Sequence, residues 1–289
     1  MMLMQSASHD KDDLNRISKS FSYSPRSQRA QPAPKPPVKS GNPLKFHLNT
    51  NDSHGGFMLS LSQARIRHFR HLLEISGLHL IELETACNKL LEKAHDGNIS
   101  KHDFLAVALS LVPRQKVEGN VMQLLSDIFN AIFAGFDHGG HGEASVMEIT
   151  CGFTVLCRGK KSDKLEFAFE VLEKDKKGCL GKQDMARYLR SFLTVLLTIA
   201  FSTSIENDPI DDSLSSMSGI RFDRTTKMLV EASTAGSDWA ASLAFNDVEK
   251  QTAMSFDDFA DWYTSAGYSS IPWLELLDLQ KWALSAESK

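Results

Sequence analysis

Four breaks in an otherwise helical chain share one arrangement, and that repeat restricts the fold more than any other feature of the 289 residues. In each, a helix rich in Leu or aromatic residues runs into a short polar loop. An apolar residue then precedes Ser or Gly, with an acid three positions further on: Ile99-Ser100 with Asp103, Ala144-Ser145 with Glu148, Leu180-Gly181 with Asp184, Met254-Ser255 with Asp258. A unit repeated this way buries its apolar face against a neighbouring copy. Around the loops the spacing is helical. Ile66, Phe69, Leu72 and Leu73 recur at three and four residues, as do Leu80, Leu83, Cys87, Leu90 and Leu91, whereas strand-type alternation is scarce. Breaks at Gly77, Asp96-Gly97, Pro113, Gly139 to Gly142, Gly178 and Asn207-Asp208-Pro209 cut the body into helices of ordinary length. The expected fold class is all-α.

The fullest copy follows Phe133-Ala134-Gly135-Phe136 and reads Asp137-His138-Gly139-Gly140-His141-Gly142-Glu143-Ala144-Ser145-Val146-Met147-Glu148. It resembles an EF-hand, the helix–loop–helix calcium motif. The twelve-residue loop of that motif presents oxygens at positions 1, 3, 5, 7, 9 and 12 around a glycine turn at 6. A hard dication takes six to eight oxygens, and a loop folded back on itself brings alternate side chains to one point. The resemblance implies calcium ligands from Asp137 at position 1, the Glu143 carbonyl at 7, Ser145 at 9 and Glu148 at 12. Gly139 and His141 stand at 3 and 5, where oxygen donors belong, so the implied affinity is weak, on the order of 10⁻⁴ M or poorer.

Three other loops fit the same frame with different losses. Residues 92–103 keep Gly97, Ile99, Ser100 and Asp103, but Ala94 removes a ligand at position 3. Residues 173–184 keep Gly178 and Leu180, yet Lys177 puts a cation at a ligand position and Asp184 reaches less far than Glu, so no calcium is expected there. Residues 247–258 carry oxygen-bearing side chains at Asp247, Glu249, Gln251, Ser255 and Asp258. Thr252 replaces the turn glycine in that loop, and a β-branched residue forced to positive φ costs roughly 1–2 kcal/mol. Asp258 at position 12 also suits magnesium, a smaller six-coordinate ion. The resemblance covers about residues 60–285, and the layout is similar to the calcineurin B and neuronal calcium sensor group. It implies two EF-hand pairs, residues 56–160 with loops 92–103 and 137–148, and residues 161–289 with loops 173–184 and 247–258. It further implies a hydrophobic groove that takes a partner helix. The final helix, 273–284, reads either as an ordinary core-facing helix or as an occupant of the groove of the last hand pair.

Composition sets the tail apart. Residues 1–50 hold six of the nine prolines, and 8 of the 32 basic against 3 of the 36 acidic residues. Residues 1–55 therefore read as a disordered, basic, Pro/Ser-rich tail. Its Pro32-Ala33-Pro34-Lys35-Pro36-Pro37 segment suits a polyproline II interaction with an aromatic-lined domain. The remaining body is acidic, which argues against nucleic acid as a partner. A second polar, acidic stretch at 202–220 is expected to be a loop between helices. The most apolar run, Phe192 to Phe201, is about half the length that a membrane helix needs and reads as a core helix. Four scattered cysteines without a Cys-x-x-Cys pair suit reduced thiols and a cytoplasmic location.

Two functions remain. One is a calcium-binding regulator that takes a partner helix in its groove. The other is a calcium-independent adaptor whose degenerate hands are scaffolding. Zinc at His138 and His141 fits no common ligand spacing. No phosphate loop, nucleophile elbow or zinc-hydrolase pair supports an enzyme.

Overall fold

Short strands from neighbouring loops pair, and this pairing organises the helices. The computed structural model describes residues 44–48, 57–61, 63–113, 119–173, 177–201, 218–247 and 252–278. The Pro32 to Pro37 segment, Glu249, Gln251, residues 202–217 of the acidic stretch and everything after Asp278 lie outside these residues. Strand β1 (Leu44–Leu48) pairs antiparallel with β2 (Phe57–Leu61). Helices α1 (Gln63–Ser76) and α2 (Leu83–Leu91) lead to β3 (Asn98–Ser100) and α3 (Lys101–Ser110). Helix α4 (Gly119–Phe136) leads to β4 (Glu143–Ser145) and α5 (Val146–Phe153), and α6 (Lys161–Leu172) to β5 (Cys179–Gly181) and α7 (Lys182–Phe201). Helix α8 (Ser218–Asp247) leads to β6 (Ala253–Ser255) and α9 (Phe256–Trp262), after which a π-helical turn precedes a 3₁₀ segment, Pro272–Leu277.

Strand β3 pairs antiparallel with β4, and β5 with β6. At the first junction Ile99 faces Ala144, and at the second Leu180 faces Met254. All four are nearly inaccessible, so each loop pair carries an apolar stitch between its helices. Two further bonds flank the first ladder: the Lys101 amide donates to the Gly142 carbonyl (2.9 Å), and the Val146 amide to that of Gly97 (3.0 Å).

The buried side chains form one continuous core from Phe69 to Leu277. Phenylalanine builds its first half: Phe104 meets Phe129 and Phe153 edge-on, with ring centroids 6.4 and 6.2 Å apart, and Phe133 at 5.6 Å. In the second half Tyr188 stands edge-on to Phe169, Phe192 and Phe259. Helix α7 is the axis. It buries Met185, Tyr188, Leu189, Phe192, Leu193, Val195, Leu196, Leu197 and Ile199, and it packs against α4, α5 and α8. The Phe192 to Phe201 run is thus a core helix, and among the described residues no helix is long and apolar enough to cross a membrane.

Three local expectations change. Leu44–Leu48, assigned to the tail, is a strand, and its alternation of Leu44, Phe46 and Leu48 with Lys45 and His47 is the period a strand requires. The last residues of the 202–220 stretch are helical because α8 propagates back to Ser218, and extending a helix adds a hydrogen bond per residue without renewed nucleation. Pro272–Leu277 winds as a 3₁₀ segment rather than the start of an α-helix, with Pro272 at its first turn and Asp278 already extended. Gly97, Gly142 and Gly178 take the left-handed turn at position 6 of their loops, at φ of 77°, 78° and 74°, whereas residues 248–251 of the fourth loop lie outside the described residues.

Candidate functional site

In loop 137–148 the position-1 acid closes the turn. The Asp137 carboxylate accepts hydrogen bonds from the backbone amides of His141 (3.0 Å) and Gly142 (2.8 Å). Glu143 is exposed in β4, and Ser145 is half-buried at the start of α5 with no side-chain cap bond. Glu148 lies in the first turn of α5, only 6% exposed. Two arginines from α7 hold it: Arg187 Nε donates to Oε1 (2.8 Å) and Arg190 Nη2 to Oε2 (2.7 Å). His138 Nε2 stands 3.9 Å from Oε2. Burial alone would raise the pKa of this carboxyl, but His138 and the two guanidinium groups outweigh burial and bring it down to about 2.

The other loops also give their last acids protein partners. Ser100 Oγ donates to Asp103 (2.6 Å) and accepts from the Asp103 amide (3.1 Å), which caps α3. Ser255 and Asp258 form the full reciprocal box at α9, where Asp258 accepts from both the Ser255 amide (3.0 Å) and hydroxyl (2.6 Å). The Ser255 hydroxyl and amide hold the Asp258 carboxyl below its ordinary range. Glu173 accepts from the Gly178 amide, and Asp184 from Arg187 Nη1 (3.3 Å). Asp247 ends α8. Of the residues singled out in the sequence, Asp137, Glu143, Ser145 and Glu148 thus share one loop, while Ser255 and Asp258 form a helix cap.

No family model matches the chain. Pairwise, it is 20% identical over 189 residues to a guanylyl cyclase inhibitory protein of Lithobates pipiens, a match covering 62% of this chain and 87% of that one. It is 25% identical over 130 residues to the calcium-binding protein NCSA of Dictyostelium discoideum, covering 45% and 64%. These matches, joined to the repeated loops and their paired strands, are consistent with an EF-hand superfamily member. The chain is also 31% identical over 127 residues to a calcium and calcium/calmodulin-dependent serine/threonine-protein kinase of Oryza sativa subsp. japonica, covering 44% of this chain but 23% of the kinase. The chain spans less than a quarter of the kinases that it matches.

As an EF-hand loop, 137–148 does not fit a calcium ion in this arrangement. Positions 3 and 5 supply no side-chain oxygen, and the two-oxygen acid at 12 has both oxygens on arginine. Among the described residues no three His, Cys, Asp or Glu side chains converge as a metal cage. Sequence reasoning passed over Arg187 and Arg190, although two cations three apart within a strongly apolar helix were a signal that something acidic meets them. It also passed over Lys164, a fully buried cation in α6 whose Nζ donates to the carbonyls of Val155 and Leu277, each at 3.0 Å.

Proposed function

We propose that the chain is a non-catalytic EF-hand regulatory protein that acts by binding a protein partner, with hands shaped by its own hydrogen bonds and ion pairs rather than by calcium. The observation that carries this reading is the Glu148 carboxylate held on both oxygens by Arg187 and Arg190. In this reading residues 56–160 and 161–289 are the two hand pairs. The partner is an amphipathic helix, and its groove is the surface that Pro272–Leu277 now covers. That segment buries Trp273, Leu274, Leu276 and Leu277, and Leu80 and Met228 are the large apolar side chains left exposed among the described residues. A cytoplasmic setting suits the thiols of Cys87, Cys151 and Cys157, which are free and buried. No kinase activity is carried over from relatives matched over so small a share.

A second reading, a calcium-responsive regulator, is favoured by the relatives themselves: one is named a calcium-binding protein, and frog relatives are named for activating or inhibiting guanylyl cyclase. In that reading calcium would sit at Asp137, Glu143, Ser145 and Glu148, and calcium or magnesium at Asp247, Glu249, Gln251, Ser255 and Asp258. Calorimetric titration of the full chain with calcium separates the two. We expect no saturable heat that Glu148→Gln removes. Saturable heat that this variant abolishes would establish the calcium-responsive reading instead.

A further inference from the structure

Arg187 does more than neutralise Glu148. Its Nε meets Glu148, the last acid of the second loop, while its Nη1 meets Asp184, the last acid of the third. One guanidinium therefore joins the closing acids of loops that pair with different partners, β4 with β3 and β5 with β6. Arg190 completes the arrangement on the other oxygen of Glu148. These side chains are partly covered, Arg187 at 24%, Arg190 at 19% and Glu148 at 7% exposure, so the pairing is only partly screened by water.

We infer that Arg187 and Arg190 act as a built-in cation for loop 137–148: they occupy the acid that a divalent ion would need and clasp the two halves of the molecule through it. This rests on the proposed reading of hands shaped without calcium, and adds the cause. Each guanidinium puts one charge-assisted donor on a different carboxylate oxygen, the same two oxygens that an EF-hand loop would turn onto a metal. Clasp and metal are therefore mutually exclusive at Glu148. The loop's weakness for calcium then comes from competition as well as from the missing donors at Gly139 and His141.

The test is calcium titration of the full chain carrying Arg187→Gln and Arg190→Gln, beside the unaltered chain and the same double variant with Glu148→Gln. Helical circular dichroism monitors folding. The expected result is a calcium affinity raised at least about tenfold in the double variant and lost again with Glu148→Gln, since a tenfold change is a modest free-energy difference beside a broken ion pair. Arg187→Lys with Arg190→Lys keeps the charge but loses the guanidinium donors placed on the two oxygens. It should retain part of the gain, which a purely long-range charge effect would not produce. A folded double variant that binds calcium no better than the unaltered chain overturns the clasp while leaving the metal-independent reading in place. An unaltered chain that already binds calcium through Glu148 overturns both. If the double variant does not fold, Arg190→Gln alone, freeing Oε2, is read the same way: a gain supports the clasp and no change overturns it.

Discussion

Glu148 keeps a negative charge at 6% exposure, which is tolerable only because both oxygens are paired. Its folded pKa of about 2 lies below the ordinary 4.5. The stabilisation from this group is therefore fully present above about pH 4.5 and is lost as pH falls toward 2. Glu148→Gln should cost about 3 kcal/mol at neutral pH, because it leaves two guanidinium groups half-paired in a partly buried site. Urea unfolding at pH 7 and again at pH 2.5 checks this. The gap between variant and parent should shrink at the lower pH, and a gap that stays constant would show that the group is held by packing rather than charge. The same scale explains why loop 92–103 and loop 247–258 need no metal to begin their exit helices. Ser100 with Asp103 and Ser255 with Asp258 satisfy the first amides of those helices locally. That much is readable in the sequence, since Ser followed three residues later by an acid is a local signal.

Helix α6 and the C-terminal 3₁₀ segment behave as one unit. Lys161 pairs with Glu275, the Tyr263 hydroxyl donates to the same carboxylate (2.9 Å), and Lys164 reaches from the core to the Leu277 carbonyl. Burial pulls the Lys164 ammonium down to about 8 from an ordinary 10.5, with Cys157, Asp278 and Asp163 partly offsetting it. A lysine pKa depressed by folding means that the protonated form is disfavoured in the native state. Its contribution therefore becomes more favourable as pH rises through about 8 toward 10.5. Lys164→Met should leave the Val155 and Leu277 carbonyls unpaired and cost about 2 kcal/mol at pH 7, with the deficit widening by pH 9.5. It should also loosen Pro272–Leu277 and increase binding of a hydrophobic-surface dye. Unchanged dye binding would mean that apolar contacts alone seat the segment. The sequence concentrates aromatic residues in this stretch but does not give its winding, because Pro272 and the distant lysine set that together.

At the scale of the molecule, α7 is where the two strand-paired halves meet, and glycine permits the meeting. A Cβ on Gly152 of α5 would lie 2.6 Å from Phe136 Cζ, 2.7 Å from the Ser191 carbonyl oxygen and 3.0 Å from Val195 Cγ2. Because one of those atoms is backbone, the helices would have to separate. Gly152→Ala should lower stability by about 2 kcal/mol despite its better helix propensity, measured by thermal unfolding; a neutral or stabilising result would show that α5 and α7 can slide apart freely. Helical periodicity, the glycine turns, the Ser-and-acid caps and the Phe-rich core positions are short-range matters of dihedral preference and apolar spacing, so the sequence by itself determined the all-α class, the places of the four loop strands and most of the core. The tertiary structure alone decided what the loop acids touch. Arg187 and Glu148 are 39 residues apart, and no local rule links them. Only the packing of α7 against α5 brings cation to carboxylate, a contact that the loop's own spacing does not contain.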